Sequence, residues 1–176
     1  LWITETSKGF ARKSLYSKRP DKSLSEELAN CLDNAKNIIA CKSGGVARYY
    51  PFSLISWPTD KIQLQRRNLY ANGCLDYQYT PLRYMAVYAQ AIRVLSGRSY
   101  IGEIPAGGSF GKLKVFADKL TAVIVISSAT TEQQVSYQLD KSIDGIIVEG
   151  VDGRILAANN NLIPVVDGQS YVTLPL

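Results

Sequence analysis

Gln90-Ala91-Ile92-Arg93-Val94-Leu95-Ser96-Gly97-Arg98-Ser99-Tyr100-Ile101-Gly102-Glu103-Ile104 is the stretch at which the chain changes character. Up to Gly97 the apolar residues recur at helical spacing. Beyond it they come in short runs divided by turn residues. Runs are expected as strands at Ser99–Ile104, Lys112–Ala117, Ala122–Ser127, Gln133–Leu139, Gly145–Glu149, Arg154–Ala158, Leu162–Val166 and Tyr171–Leu174. Gly107-Gly108, Asp118-Lys119, Asp144-Gly145, Asp152-Gly153, Asn159 to Asn161 and Asp167-Gly168 separate them. Strands at this spacing, with turn chemistry between them, predict an antiparallel sandwich or barrel. Asp152-Gly153 between two strand-like runs predicts a hairpin.

Working backward from Gly97, Leu82, Met85, Ala86, Ala89, Ile92 and Leu95 share one helical face. Thr80 is placed to cap that helix and Pro81 to begin it. Ala89 and Ile92 are expected to be nearly inaccessible. Gly97 is expected to close the helix in the left-handed conformation. An earlier helix follows Ser23 and Glu26, which fit a capping box. Leu24, Leu28, Leu32, Ala35 and Ile39 form its buried stripe, and Gly44-Gly45 ends it. Between the helices lies a Tyr-rich segment of short extended pieces. Arg48, Arg66 and Arg67 stand near Tyr70, Tyr77 and Tyr79, a mixture that permits stacking on bases as well as ordinary core packing.

Residues 1–22 read as a basic extended arm, 23–97 as a helical and irregular Tyr-rich region, and 98–176 as a β-rich region that forms one compact domain with 23–97. The expected fold class is α+β. Two helices fall in the N-terminal half and an antiparallel sandwich or barrel-like sheet in the C-terminal half. A chain beginning Leu1-Trp2-Ile3 is expected to have been processed or trimmed. No apolar run approaches the length needed to cross a bilayer as a helix.

The net charge of +5 is unevenly placed. Residues 1–97 hold 14 Lys/Arg against 7 Asp/Glu, and residues 98–176 hold 6 against 8. Lys8, Arg12, Lys13, Lys18, Arg19, Arg66 and Arg67 are the candidate contacts to nucleic acid or another anionic surface, by weak nonspecific electrostatics. The alternative is a solvated tail.

Histidine is absent from the 176 residues, so no Ser-His-Asp or Cys-His site is built within them. Carboxylate or lysine chemistry remains open. Cys31, Cys41 and Cys74 match no zinc spacing and are expected to be reduced apolar fillers. Gly107-Gly108-Ser109-Phe110-Gly111-Lys112 lacks phosphate-loop spacing, and Leu113 stands where that motif needs Ser or Thr. Glu103, Glu132, Glu149 and Asp140 are available carboxylates, but no spacing pairs them for glycoside chemistry.

Asp144-Gly145-Ile146-Ile147-Val148-Glu149-Gly150-Val151-Asp152-Gly153-Arg154-Ile155-Leu156-Ala157-Ala158-Asn159 resembles the opening hairpin of PAS sensor domains. The resemblance implies a hairpin alone, because strands and turns follow where that family has helices.

The sequence thus assigns no catalytic, cofactor or metal residue and leans away from an enzyme. Its leading expectation is a structural or assembly protein, such as a virion, phage-tail or surface-appendage subunit. Trp2, Phe10, Val135, Tyr137, Tyr171 and Val172 are its candidate contacts to neighbouring copies or other structural subunits. That reading implies a virion or extracellular assembly, and otherwise a soluble intracellular protein. The alternatives are a nucleic-acid-binding module using the arm and the Arg/Tyr segment, or an enzyme or sensor with an unrecognised site.

Overall fold

The computed structural model describes residues 2–6, 10–11, 20–51, 70–71, 74–75, 79–129, 134–159 and 161–176. In chain order these carry β1 (Trp2–Thr6), β2 (Phe10–Ala11), α1 (Pro20–Ser43), β3 (Arg48–Pro51), β4 (Tyr70–Ala71) and α2 (Arg83–Leu95). Then follow β5 (Ser99–Gly107), β6 (Gly111–Ala117), β7 (Thr121–Ser127), β8 (Val135–Gln138), β9 (Ile147–Gly150), β10 (Ile155–Leu156), β11 (Leu162–Val165) and β12 (Gln169–Pro175). The class is α+β, with two helices and mostly antiparallel strands.

The β-rich half is organised around one six-stranded antiparallel sheet in the order β10-β9-β12-β7-β6-β5. β8 and β11 form a separate antiparallel pair. No sheet closes on itself among the described residues. Side chains alternate across the large sheet as the two-residue period of a strand requires. Leu113, Val115, Ile124, Ile126, Val148 and Val172 meet Ile163 and Val165 of β11 on one face. Phe116, Val123, Val125 and Tyr171 meet Ile39 of α1 and Val94 and Leu95 of α2 on the other. This is why Ala122 to Ile126 is an unbroken apolar run: β7 is covered on both faces, so neither face selects polar residues.

Each expected strand is present, with ends shifted by a few residues. Asp152-Gly153 does turn a hairpin, with Ile155 opposite Glu149 and Leu156 opposite Val148. Gly153 has φ 89°, and a Cβ there would come within 3.0 Å of Gln90 Oε1. Glycine is therefore needed both for the turn and for the close approach of the hairpin to α2.

The helices depart from the sequence reading in instructive ways. α1 begins at Pro20, three residues before the expected cap, so Ser23 lies inside it. Proline suits a first helical turn because its fixed φ is already helical and its missing N–H has no partner to lose there. α2 begins at Arg83, and its cap position is Leu82, without a side-chain capping bond. Pro81 instead bridges to Leu75, and the Leu82 N–H donates to the Cys74 carbonyl at 2.9 Å. Gly97 is left-handed at φ 73°, as expected.

The buried face of α2 is Tyr84, Val87, Gln90, Ala91, Val94 and Leu95. The expectation that Ala89 and Ile92 are inaccessible is corrected: Ala89 is exposed and Ile92 is 47% exposed. Two apolar stripes run along this helix, and the buried one sets Val87 against Cys31 and Ala35 of α1 and Val94 against the sheet. Inside this face, Gln90 Oε1 accepts from Arg93 at 2.8 Å, while its buried Nε2 has no partner among the described residues.

Within the stretch read as an arm, the described residues include two strands and the start of α1. β1 pairs in parallel with β3, and β2 pairs antiparallel with β4. Parallel neighbours need a crossover, and α1 provides it. Among the described residues, the first half runs β1-β2-α1-β3-β4-α2, with two strands before each helix and β1 parallel to β3.

Candidate active site

In a parallel strand–helix–strand unit, the ends of the strands that lead into the helices are where such folds place their chemistry. Glu5 is the penultimate residue of β1 and stands at that end. The local pairing there is irregular. Trp2 lies opposite Arg48 and Ile3 opposite Tyr49, but Thr6 lies opposite Pro51. Three steps on β1 match two on β3, so Thr4 and Glu5 fall within a bulge. Bulges are common at barrel rims and beside active sites, where one extra residue re-aims a side chain.

Beneath this end, Tyr49 of β3 meets Tyr88 of α2 with ring centroids 6.5 Å apart. Tyr84 meets Tyr88 edge-on at 6.2 Å. Burial raises the Tyr84 hydroxyl far above its ordinary pKa, and the neighbouring Tyr49 and Cys74 add to the shift. Burial likewise raises the Cys74 thiol. These groups stay neutral and serve as a packed floor. A groove of about 270 Å³ opens between α1, β3 and α2, lined by Ile38, Cys41, Tyr49, Tyr88, Ile92 and Leu95.

An ionic lattice joins the start of α2 to two turns of the β-rich half. Arg83 reaches Asp167 at 2.5 Å and Asp152 at 3.6 Å. Arg154 reaches the same two carboxylates at 2.5 and 2.9 Å. Burial pushes Asp152 upward, but Arg154 and then Arg83 outweigh it and hold this carboxyl below its ordinary range. One turn from the end of α2, Arg93 pairs with the largely buried Glu149. These arginines neutralise the acids, so the lattice is a structural clamp.

The other carboxylates weighed from sequence are not brought together. Glu103 on β5 is paired with Lys112 and Lys114, each at 3.0 Å. Glu149 lies on β9, four strand spacings away in the same sheet, or about 19 Å. Asp140 is exposed, and Glu132 falls outside the described residues.

Lys8, Arg12, Lys13, Lys18, Arg19, Arg66 and Arg67 also lie outside the described residues. Of the candidate assembly contacts, Trp2 is in β1 and Phe10 in β2. Val135 and Tyr137 are half-buried against the core of the β-rich half. Tyr171 and Val172 are fully buried in β12, which pairs with β7 on one side and β9 on the other. They lie in the protein's own interior, which corrects the expectation that they contact neighbouring copies. The physical reason is that a strand paired on both sides and covered on both faces offers a neighbour nothing. Cys31, Cys41 and Cys74 form no disulfide among the described residues. The described residues hold no group of His, Cys, Asp and Glu suited to a metal ion, and no helix there is long and apolar enough to cross a membrane.

Glu5 was missed from sequence because charge density around residues 8–22 made the whole segment look like an arm. The available signal was local. Trp2-Ile3-Thr4 is a β-favouring run that ends in an acid, and a proline-initiated helix follows.

No protein-family model and no curated protein matches this chain. Solved structures do. A family 39 glycoside hydrolase from the gut symbiont Bacteroides cellulosilyticus superposes with TM-score 0.66 at 11% identity, over 98% of this chain and 33% of that one. An endoxylanase of glycoside hydrolase family 30 from Clostridium papyrosolvens gives 0.60 at 17% identity, over 100% and 42%. A family 30 subfamily 8 xylanase from Clostridium acetobutylicum gives 0.62 at 12% identity, over 99% and 42%. At these identities the likeness is one of fold. The chain spans well under half the length of the proteins it resembles.

Proposed function

We propose that this chain forms part of a polysaccharide-cleaving enzyme of the glycoside hydrolase type, with Glu5 as one of its two working carboxylates. The observation that carries the reading is Glu5 in a bulge at the end of a parallel strand that leads into a helix. The fold likeness to enzymes of that type supports it. Glycoside hydrolysis needs a pair of carboxyl groups: one protonates the leaving oxygen, and the other attacks the sugar or activates water. Neither step needs histidine. On this reading the second carboxyl comes from another part of the full-length protein. The six-stranded sheet and the β8–β11 pair are the two leaves of a sandwich clamped to the catalytic part through Arg83 and Arg93.

The test is Glu5→Gln in the full-length protein, with release of reducing ends from xylan as the first assay. Loss of rate by about 10²–10⁴-fold is expected, as for removal of a positioned acid or base. An unchanged rate removes Glu5 from the chemistry and the reading with it.

A second reading keeps the assembly role. It is favoured by exposed Ile101 and Ile104 on the outer strand β5, and by Ile147 and Ile155 near the opposite edge. Its test is native mass. A clean monomer at high concentration would dismiss it.

A further inference from the structure

We propose that Tyr79 is a sugar-stacking residue at the rim of the site that Glu5 marks, a proposal that rests on the reading above. Tyr79 has φ 63°, in the left-handed region. Among the described residues, the other non-glycine with positive φ is Asp167, a short polar residue that tolerates this region. A bulky aromatic there is an outlier, and such strain persists only where the surroundings impose it. The surroundings are visible. Leu75 bridges to Pro81, and the Leu82 N–H donates to the Cys74 carbonyl at 2.9 Å, which ties the chain after Tyr79 to the chain before it.

The strain is not compensated by burial, because Tyr79 is 69% exposed. A held backbone thus presents an aromatic residue to solvent. Its place in the topology gives that a use. Tyr79 precedes α2, and α2 runs antiparallel to β3: Val46 and Ala47, just before β3, line the groove with Leu95 and Ser96 at the end of α2, while Tyr49 within β3 meets Tyr84 and Tyr88 nearer its start. β1 runs parallel to β3, so Glu5 stands at the same end. The C–H face of a pyranose is apolar and slightly positive, and the face of an aromatic ring is negative. A ring on a fixed backbone gives up little freedom on binding.

The probe is xylotriose, titrated calorimetrically into the full-length protein. Tyr79→Phe should bind as the wild type does. Tyr79→Ala should bind about tenfold more weakly, the loss of one aromatic contact. Tyr79→Gly should bind as weakly as Tyr79→Ala yet melt at a higher temperature, since glycine accepts the left-handed conformation freely. Wild-type affinity in both the Ala and Gly variants would overturn the proposal. So would a lowered melting temperature in both, because Tyr79 would then be a structural residue. Glu5→Gln separates this proposal from its premise. It should retain xylotriose binding while losing hydrolysis. If it stays active while Tyr79→Ala still loses binding, the ring contacts sugar but not at a site that Glu5 marks, and the proposal in this form is overturned. If the wild type does not bind xylotriose, the stacking proposal falls, whatever Glu5→Gln does to hydrolysis.

Discussion

The two halves of this molecule satisfy their strands in different ways. In the C-terminal half β12 has a neighbour on each side, and both faces of the six-stranded sheet are covered, by helices on one and by β11 on the other. In the N-terminal half the described parallel pairing is a single one, β1 with β3, and α2 carries an apolar stripe that faces outward. Parallel sheets occur almost only with both faces covered. The comparison separates a doubly covered sheet in the β-rich half from a parallel pair in the N-terminal half, at whose end Glu5 lies.

The sharpest way to break this division is to remove a large side chain from the sheet. Phe116 is fully buried between β6 and the helices, against Tyr100 at 5.5 Å. Phe116→Ala should cost about 3–5 kcal/mol, read as a fall in the chemical-denaturation midpoint. A loss below about 1 kcal/mol would show that the sheet–helix interface is not the main core.

The clamp between the halves should come next. Asp152 is held below its ordinary value of 3.8 by Arg154 and Arg83 despite burial. A carboxyl with a depressed folded pKa stabilises fully above its unfolded pKa, and that contribution is lost as pH falls through the folded value. Stability should therefore drop below about pH 4, and Asp152→Asn should flatten that drop while costing about 1–2 kcal/mol at neutral pH. An acid limb identical in wild type and variant would remove Asp152 from the clamp.

The smallest effect sharpens the comparison from the other side. Ile92 lies on the outward stripe of α2, 47% exposed. Ile92→Ala should change the stability of this chain by no more than about 0.5 kcal/mol. In the full-length protein a cost several times larger would mean that another segment covers the stripe, and an equal, small cost would mean that it stays bare.

Several features were legible before any coordinates. Turn residues and apolar alternation located each strand of the second half, because Asp-Gly and Asn-rich breaks and a two-residue period are local properties. Gly97 and Gly153 were readable for the same reason, since each is required by a local backbone conformation. What was not legible depended on partners distant in the chain. Which of two apolar stripes on α2 is buried follows from where the sheet lies, and helical periodicity cannot see that. Residues 1–22 read as an arm because charge hid a strand whose partner is more than forty residues away at Arg48. Glu5 becomes a candidate only when β1 is parallel to β3 and one residue longer across the same interval, a fact of register between strands. The sequence by itself determined where the chain turns, which segments are helical and which are extended. Tertiary structure alone decided their order in the sheets and the faces that are covered. It alone placed Glu5 in a bulge at the end of β1, because pairing and burial are properties of segments brought together and not of any segment alone.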